Sequence, residues 1–193
     1  MKTKNVADEV LRAALELFAE QGYANTSVQQ IVKTAGVTKG AMYHYFTSKD
    51  DLLFAIYERM LSLQKRRLDE ITALGGATDE VLRAVCEDVV LTSIDFMAEG
   101  TIFFRSQHML TPERRAEVKR RRREYHDKFA ELVDRGKAEG LFRTDIATAV
   151  LIAHFFSDVH YLPHWFSADG PEDRGEVAAQ LTELFLRSIR RTE

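Results

Sequence analysis

The chain has 193 residues, 45% of them apolar and 30% charged, with only ten Gly and three Pro, a length and apolar share that suit one packed domain or a small module joined to a larger one and exclude wholesale disorder. No apolar run approaches the roughly 18 residues needed to span a bilayer, Met1–Asn5 lacks the apolar stretch of a secretory signal, and the single cysteine, Cys86, allows neither an internal disulfide nor a cysteine-based zinc site, so the expectation is a soluble, cytoplasmic protein. The net charge of −3 argues against indiscriminate attraction to phosphate, yet residues 101–130 hold nine Lys/Arg against four Asp/Glu, so any nucleic-acid contact must come from a local surface.

Apolar spacings of three and four, with few helix breakers, predict an all-α fold of about nine helices. Ala7, Val10, Leu11, Ala14, Leu15 and Phe18 line one face of the first helix, which Gly22 ends. Ser27-Val28-Gln29-Gln30 reads as a capping box opening a short helix with an inner face of Val28, Ile31, Val32 and Ala35. Gly36 permits a sharp turn, and Thr38 is placed to cap a third helix to about Phe46. Ser48-Lys49-Asp50-Asp51 is a second capping box, opening a long helix striped by Leu52, Leu53, Ile56, Met60 and Leu63. Beyond Gly75-Gly76, Val81 to Phe96 mark a helix up to Gly100, and a short aromatic segment, Ile102-Phe103-Phe104, leads to a helix from Pro112 to Gly140. Asp145 is expected to cap an apolar helix from Ile146 to about Leu162, and the last helix is expected from Pro171 to about Arg190.

Two short helices joined by a tight Gly turn, Ser27–Ala35 and Thr38–Phe46, form a helix-turn-helix. Ile31, Val32, Ala35 and Val37 fix the angle between them, which leaves the second helix to project into a major groove. Its outer face is expected to carry Lys39, Gly40, Met42, Tyr43 and His44. Thr26, Ser27, Tyr43 and Lys49 suit phosphate oxygens, and Lys39 and His44 are donors for base edges.

The run from Gly22 to Val32, followed by Ala35-Gly36-Val37-Thr38-Lys39-Gly40-Ala41-Met42-Tyr43-His44-Tyr45-Phe46-Thr47-Ser48-Lys49, resembles the N-terminal domain of TetR-family transcriptional repressors over roughly residues 5–55. The resemblance implies a three-helix DNA-binding domain (1–48), a C-terminal ligand-binding and dimerisation domain (49–193), and a homodimer on a palindromic double-stranded DNA operator, released by a small-molecule inducer. At matching positions it assigns DNA contact to Thr26, Ser27, Thr38, Lys39, Gly40, Tyr43, His44 and Lys49. Lys33 stands where the family has a small residue, and it is read as pointing outward. The long helix from Lys49 is the natural lever between the two domains.

TetR-like proteins pair through their last two helices, here about 145–162 and 171–190, with apolar faces of Ile146, Val150, Ala153 and Phe156 on one and Leu181, Leu184, Phe185 and Ile189 on the other. The same faces also suit an intramolecular core. The pocket is expected among Phe96, Phe103, Phe104, Tyr125, Phe129, Phe155, Tyr161 and Trp165, with His108, Tyr125, His154 and Asp158 to orient a ligand. Between Arg121 and Asp145 the chain is loosely similar to family members that regulate lipid and sterol catabolism, which makes an acyl-CoA or lipid-like metabolite a candidate inducer. Lys119 and Arg120–Arg123 either form a solvated helix face or meet an anionic ligand. His154, Asp158 and His160 read as structural in preference to metal-ligating, no cofactor is implied, and Cys86 reads as half-buried. The competing reading is a helical small-ligand carrier, or an enzyme using the His154/Asp158/His160 cluster.

Overall fold

The computed structural model describes residues 5–191, so the reading of Met1–Asn5 falls almost wholly outside the described residues. Those residues form nine α-helices and no strand: α1 (Val6–Gln21), α2 (Val28–Ala35), α3 (Lys39–Tyr43), α4 (Lys49–Leu74), α5 (Thr78–Asp95), α6 (Met97–Ser106), α7 (Pro112–Ala138), α8 (Thr148–Tyr161) and α9 (Arg174–Ile189). The all-α expectation is met, and an isolated antiparallel bridge pairs Phe142 with Arg190.

Local signals set several of these ends. Asn5 accepts the Ala7 N–H at the start of α1, and at α2 the Ser27 hydroxyl accepts the Gln30 N–H while Gln30 Oε1 takes the Ser27 N–H at 2.8 Å. Thr38 caps α3 by accepting the Ala41 N–H. Other expectations need correction. At α4, Ser48 accepts the Asp51 N–H, but the Asp51 carboxylate turns to the N–H and hydroxyl of Thr47, so the box is only half closed. Phe96 leaves helical geometry and splits the expected helix to Gly100 into α5 and α6. Asp145 caps nothing: it grips the Arg143 guanidinium through both oxygens, at 2.8 and 2.7 Å, and α8 starts at Thr148. Helix α9 begins at Arg174 because Asp173 accepts the N–H groups of Gly175 and Glu176.

The helices gather into two compact units, one of residues up to Met60 with Ala98–Val118, the other of Leu61–Met97 with residues from Lys119 onward. A cut at 48/49 follows the local motif, whereas the units change within α4 and α7, because the two ends of each long helix bury their apolar residues in different cores. In the first unit α1 packs on α2 and α3, burying Val10, Ala13, Ala14, Phe18, Ile31, Val32, Ala35 and Met42 along with Leu52, Leu53 and Ile56 of α4. In the second, Val85 and Val89 of α5, Phe129 and Val133 of α7, Phe155 and Val159 of α8, and Phe185 and Ile189 of α9 share one core. Cys86 is completely buried there, deeper than expected, and burial pushes its thiol well up.

One glycine in this core is dictated by close approach. A Cβ on Gly136 of α7 would lie 2.1 Å from Cε2 of Phe142, whose ring returns against the helix after the turn at Gly140 (φ +75°). Gly136→Ala is expected to overpack this contact and cost about 1–3 kcal/mol in chemical denaturation. Gly100→Ala, in α6 with open space around its Cβ, is expected to stabilise by about 0.5–1 kcal/mol in the same assay.

Candidate functional site

The turn between α2 and α3 is built on Gly36, whose left-handed backbone (φ +66°) is open to glycine without strain. Val37 N–H then bonds Val32 O, and Thr38 starts α3. Helix α3 has five residues, so it must be anchored from outside itself. Met42 does this, with no exposed surface, which corrects its expected place on the outer face. The outer face carries Lys39, Gly40, Tyr43 and His44, followed by Tyr45. The Lys39 ammonium lies 5.7 Å from the Tyr43 ring, and the His44 and Tyr45 rings meet edge to face at 5.0 Å. A Cβ on Gly40 would touch only the Thr38 hydroxyl at 4.0 Å, so its small size serves nothing inside the chain. Ser27, Lys33 and Thr38 are exposed.

Two assigned residues stand differently. Thr26 is buried, with its hydroxyl donating to Gly22 O at 2.9 Å and accepting from Gln21 Nε2. The Lys49 ammonium donates to the carbonyls of Tyr23 and Thr26, both at 2.8 Å, and lies 4.3 Å from the centre of the Tyr23 ring. Burial lowers its pKa. Asp50 accepts from the Tyr23 hydroxyl, and burial together with this bond holds that phenol protonated well above its ordinary value. Lys49 and Asp50 therefore bind the start of α4 to the chain just before α2.

The expected ligand residues are divided between the two units and, on α8, between its buried and exposed sides. Phe103 and Phe104 belong to the first unit, where Phe103 stacks on Tyr57 at 3.5 Å and Phe104 meets both rings edge-on. His108, in the same unit, is exposed. In the second unit Tyr125, Phe129 and Phe155 are buried together with Phe156 and Phe185, which the sequence pattern does not single out for the pocket; Phe129 stacks on Phe155 at 5.4 Å, and Phe155 lies 4.8 Å from Phe185. Phe96 is half-buried at the end of α5. His154, Asp158 and Tyr161 sit on the opposite, exposed side of α8, with exposed Trp165 after it. Helical spacing explains the split, since residues 154 and 155 differ by about 100° around the axis.

His154 Nε2 is 3.9 Å from Asp158 Oδ2, but among the described residues no group of three or more His, Cys, Asp or Glu could hold a metal. His160, exposed on α8, lies 6.0 Å from the ring of Phe156, which stacks on His126 of α7 at 4.3 Å. Of the basic run, Lys119, Arg120 and Arg123 are exposed, Arg121 and Arg122 are half-buried, and Arg120 pairs with Glu124. The expected pairing faces also divide. Phe156, Phe185 and Ile189 are buried in the chain's own core, while Val150 (59% exposed), Ala153 and Leu184 (64% exposed) remain open.

Residues 10–56 match the family model for bacterial regulatory proteins of the tetR family, and residues 75–189 match that for the tetracyclin repressor-like C-terminal domain. The chain therefore belongs to the TetR family of helix-turn-helix transcriptional regulators. It is 28% identical over 187 residues to the transcriptional repressor KstR2 of Rhodococcus jostii, covering 94% of this chain and 89% of that one. Among solved structures it is similar to the TetR-family regulator PfmR of Thermus thermophilus (TM-score 0.84, 27% identity, 94% of this chain and 99% of that one). It is also similar to AibR in complex with isovaleryl coenzyme A and operator DNA (TM-score 0.80, 26% identity, 93% and 97%).

The His126–His160 pair yields a pH test. Loss of surrounding water, then Arg122 and His126, push the His160 imidazole down to about 4, and burial and Arg122 lower that of His126, which Asp127 partly offsets. A histidine depressed in the folded state binds its proton more readily in the unfolded chain, so folded stability is lost as pH falls from about 6.5 towards about 4. Denaturation midpoints measured across this window are expected to fall with pH for the native chain and to fall less steeply for His160→Gln. Parallel profiles for the two would contradict the assignment.

Proposed function

We propose that the chain is a ligand-responsive transcriptional repressor that binds a two-fold operator as a homodimer and is released by a small hydrophobic ligand, with acyl-CoA thioesters the first candidates. The observation that carries this reading is α3, anchored inward by Met42 while Lys39, Gly40, Tyr43 and His44 face outward. Lys39 and His44 supply donors for base edges, Tyr43 and the exposed hydroxyls of Ser27 and Thr38 reach phosphates, and Gly40 lets the backbone come close to the duplex. Thr26 and Lys49 take the role of holding this surface in place.

The likeness to a KstR2 repressor and to AibR, described in complex with an acyl-CoA and operator DNA, supports both halves of the reading. The aromatic cluster of Tyr125, Phe129, Phe155 and Phe156 offers an apolar wall for an acyl chain. Exposed Val150, Ala153 and Leu184 on α8 and α9 supply the face for pairing with a second copy, and two half-sites require two reading heads. A 100-fold loss of operator affinity on ligand binding asks for about 2.7 kcal/mol of coupling. A regulator of this kind acts where the operator is, in the cytoplasm; no helix among the described residues is long and apolar enough to cross a membrane.

With a duplex selected from a randomised pool, Lys39→Ala and Tyr43→Ala are expected to weaken binding at least about tenfold while changing stability by no more than about 0.5 kcal/mol. Lys49→Ala is expected to weaken binding and also to cost stability, about 1.5–3 kcal/mol for a charge-assisted pair of bonds. Isovaleryl-CoA and longer acyl-CoAs are the probes for release. Ligand uptake with no salt-dependent duplex binding would favour the carrier, and turnover indifferent to Lys39 and Tyr43 would favour the enzyme.

A further inference from the structure

Asp51, in the first turn of α4, is shared between two distant segments of the first unit. Its Oδ2 accepts the Thr47 N–H at 2.9 Å and the Thr47 hydroxyl, four residues past the end of α3. Its Oδ1 accepts from the Arg114 guanidinium, 63 residues away in the first turn of α7, and that guanidinium also lies 4.4 Å from the centre of the Phe54 ring. One carboxylate thus ties the turn that closes α3 to the start of α7, with the Asp51 side chain only 16% exposed. Helix α7 continues to Ala138 and carries Tyr125 and Phe129 of the aromatic wall.

We infer that Arg114 is a positioning residue for operator binding: through Asp51 it holds the Thr47 turn, and with it the outer face of α3, in the geometry that fits the duplex. This rests on the repressor reading above. On this inference Arg114 acts through Asp51 and not by touching phosphate itself.

The test uses the full chain and the selected duplex over a range of salt concentrations. Arg114→Gln is expected to weaken binding about threefold to thirtyfold with an unchanged slope of log affinity against log salt. A residue that itself contacts phosphate would flatten that slope by about 0.9 when removed. Arg114→Lys is expected to recover most of the affinity, and Asp51→Asn to match Arg114→Gln with little further loss in the double variant. Arg114→Gln binding as tightly as the native chain, a flattened slope, or additive losses in the double variant would each overturn the inference while leaving the repressor reading intact. A native chain that binds no duplex would overturn both. Because Arg114→Gln could lose affinity by unfolding alone, circular dichroism accompanies each titration, and Arg114→Lys carries the test if the Gln variant does not fold.

Discussion

A helix of five residues has no stability of its own, and the surface proposed to meet DNA is such a helix. Several contacts in the amino-terminal unit hold α3 in place. Met42 is fully buried where α3 packs on α1 and α2, Thr38 supplies the missing acceptor at its start, and Gly36 turns the chain sharply enough to bring it there. The start of α4 closes the arrangement from below, with Lys49 on two backbone carbonyls, Asp50 on Tyr23 and Asp51 on Thr47. Three successive residues therefore each fasten a different piece of the motif. This anchoring leaves Lys39, Tyr43 and His44 facing outward.

The second unit works on another principle. Its core is a run of aromatic contacts among Phe129, Phe155, Phe156 and Phe185, drawn from three helices, in which each ring fills space left by the next. For a ligand to enter such a core some of these rings must move, and close-packed interiors answer by switching between discrete arrangements instead of yielding gradually. Helix α8 has two characters: Phe155, Phe156 and Val159 inward, Val150, Ala153, His154 and Asp158 outward. In the function proposed above, the inward side answers ligand and the outward side pairs with another copy.

Much of this is legible in the chain of letters because it is local. A capping box, a glycine in the left-handed region and a helical stripe are set by residues three or four apart, and Ser27, Gly36 and the inner face of α2 appear where such spacing places them. What is not legible depends on residues far apart or on a choice between two partners. Thr26 and Lys49 suit phosphate oxygens by residue type and by matching position, and pattern does not show that each also has partners within the chain, the Gly22 carbonyl for Thr26 and the Tyr23 and Thr26 carbonyls for Lys49. Asp145 looks like a cap until Arg143 takes both its oxygens. The Arg114–Asp51 contact spans 63 residues, and no periodicity announces it. Spacing alone puts Met42 on the wrong face, because a helix of barely more than one turn leaves the phase of its faces unsettled by pattern.

The central claim is that the outward side of α3 is the surface that meets DNA. Amide hydrogen exchange with and without the selected duplex tests it most directly. The account predicts new protection concentrated in residues 38–45, with little change across α8 and α9. Protection confined to the second unit, with the exchange of 38–45 unaltered by duplex, would contradict it.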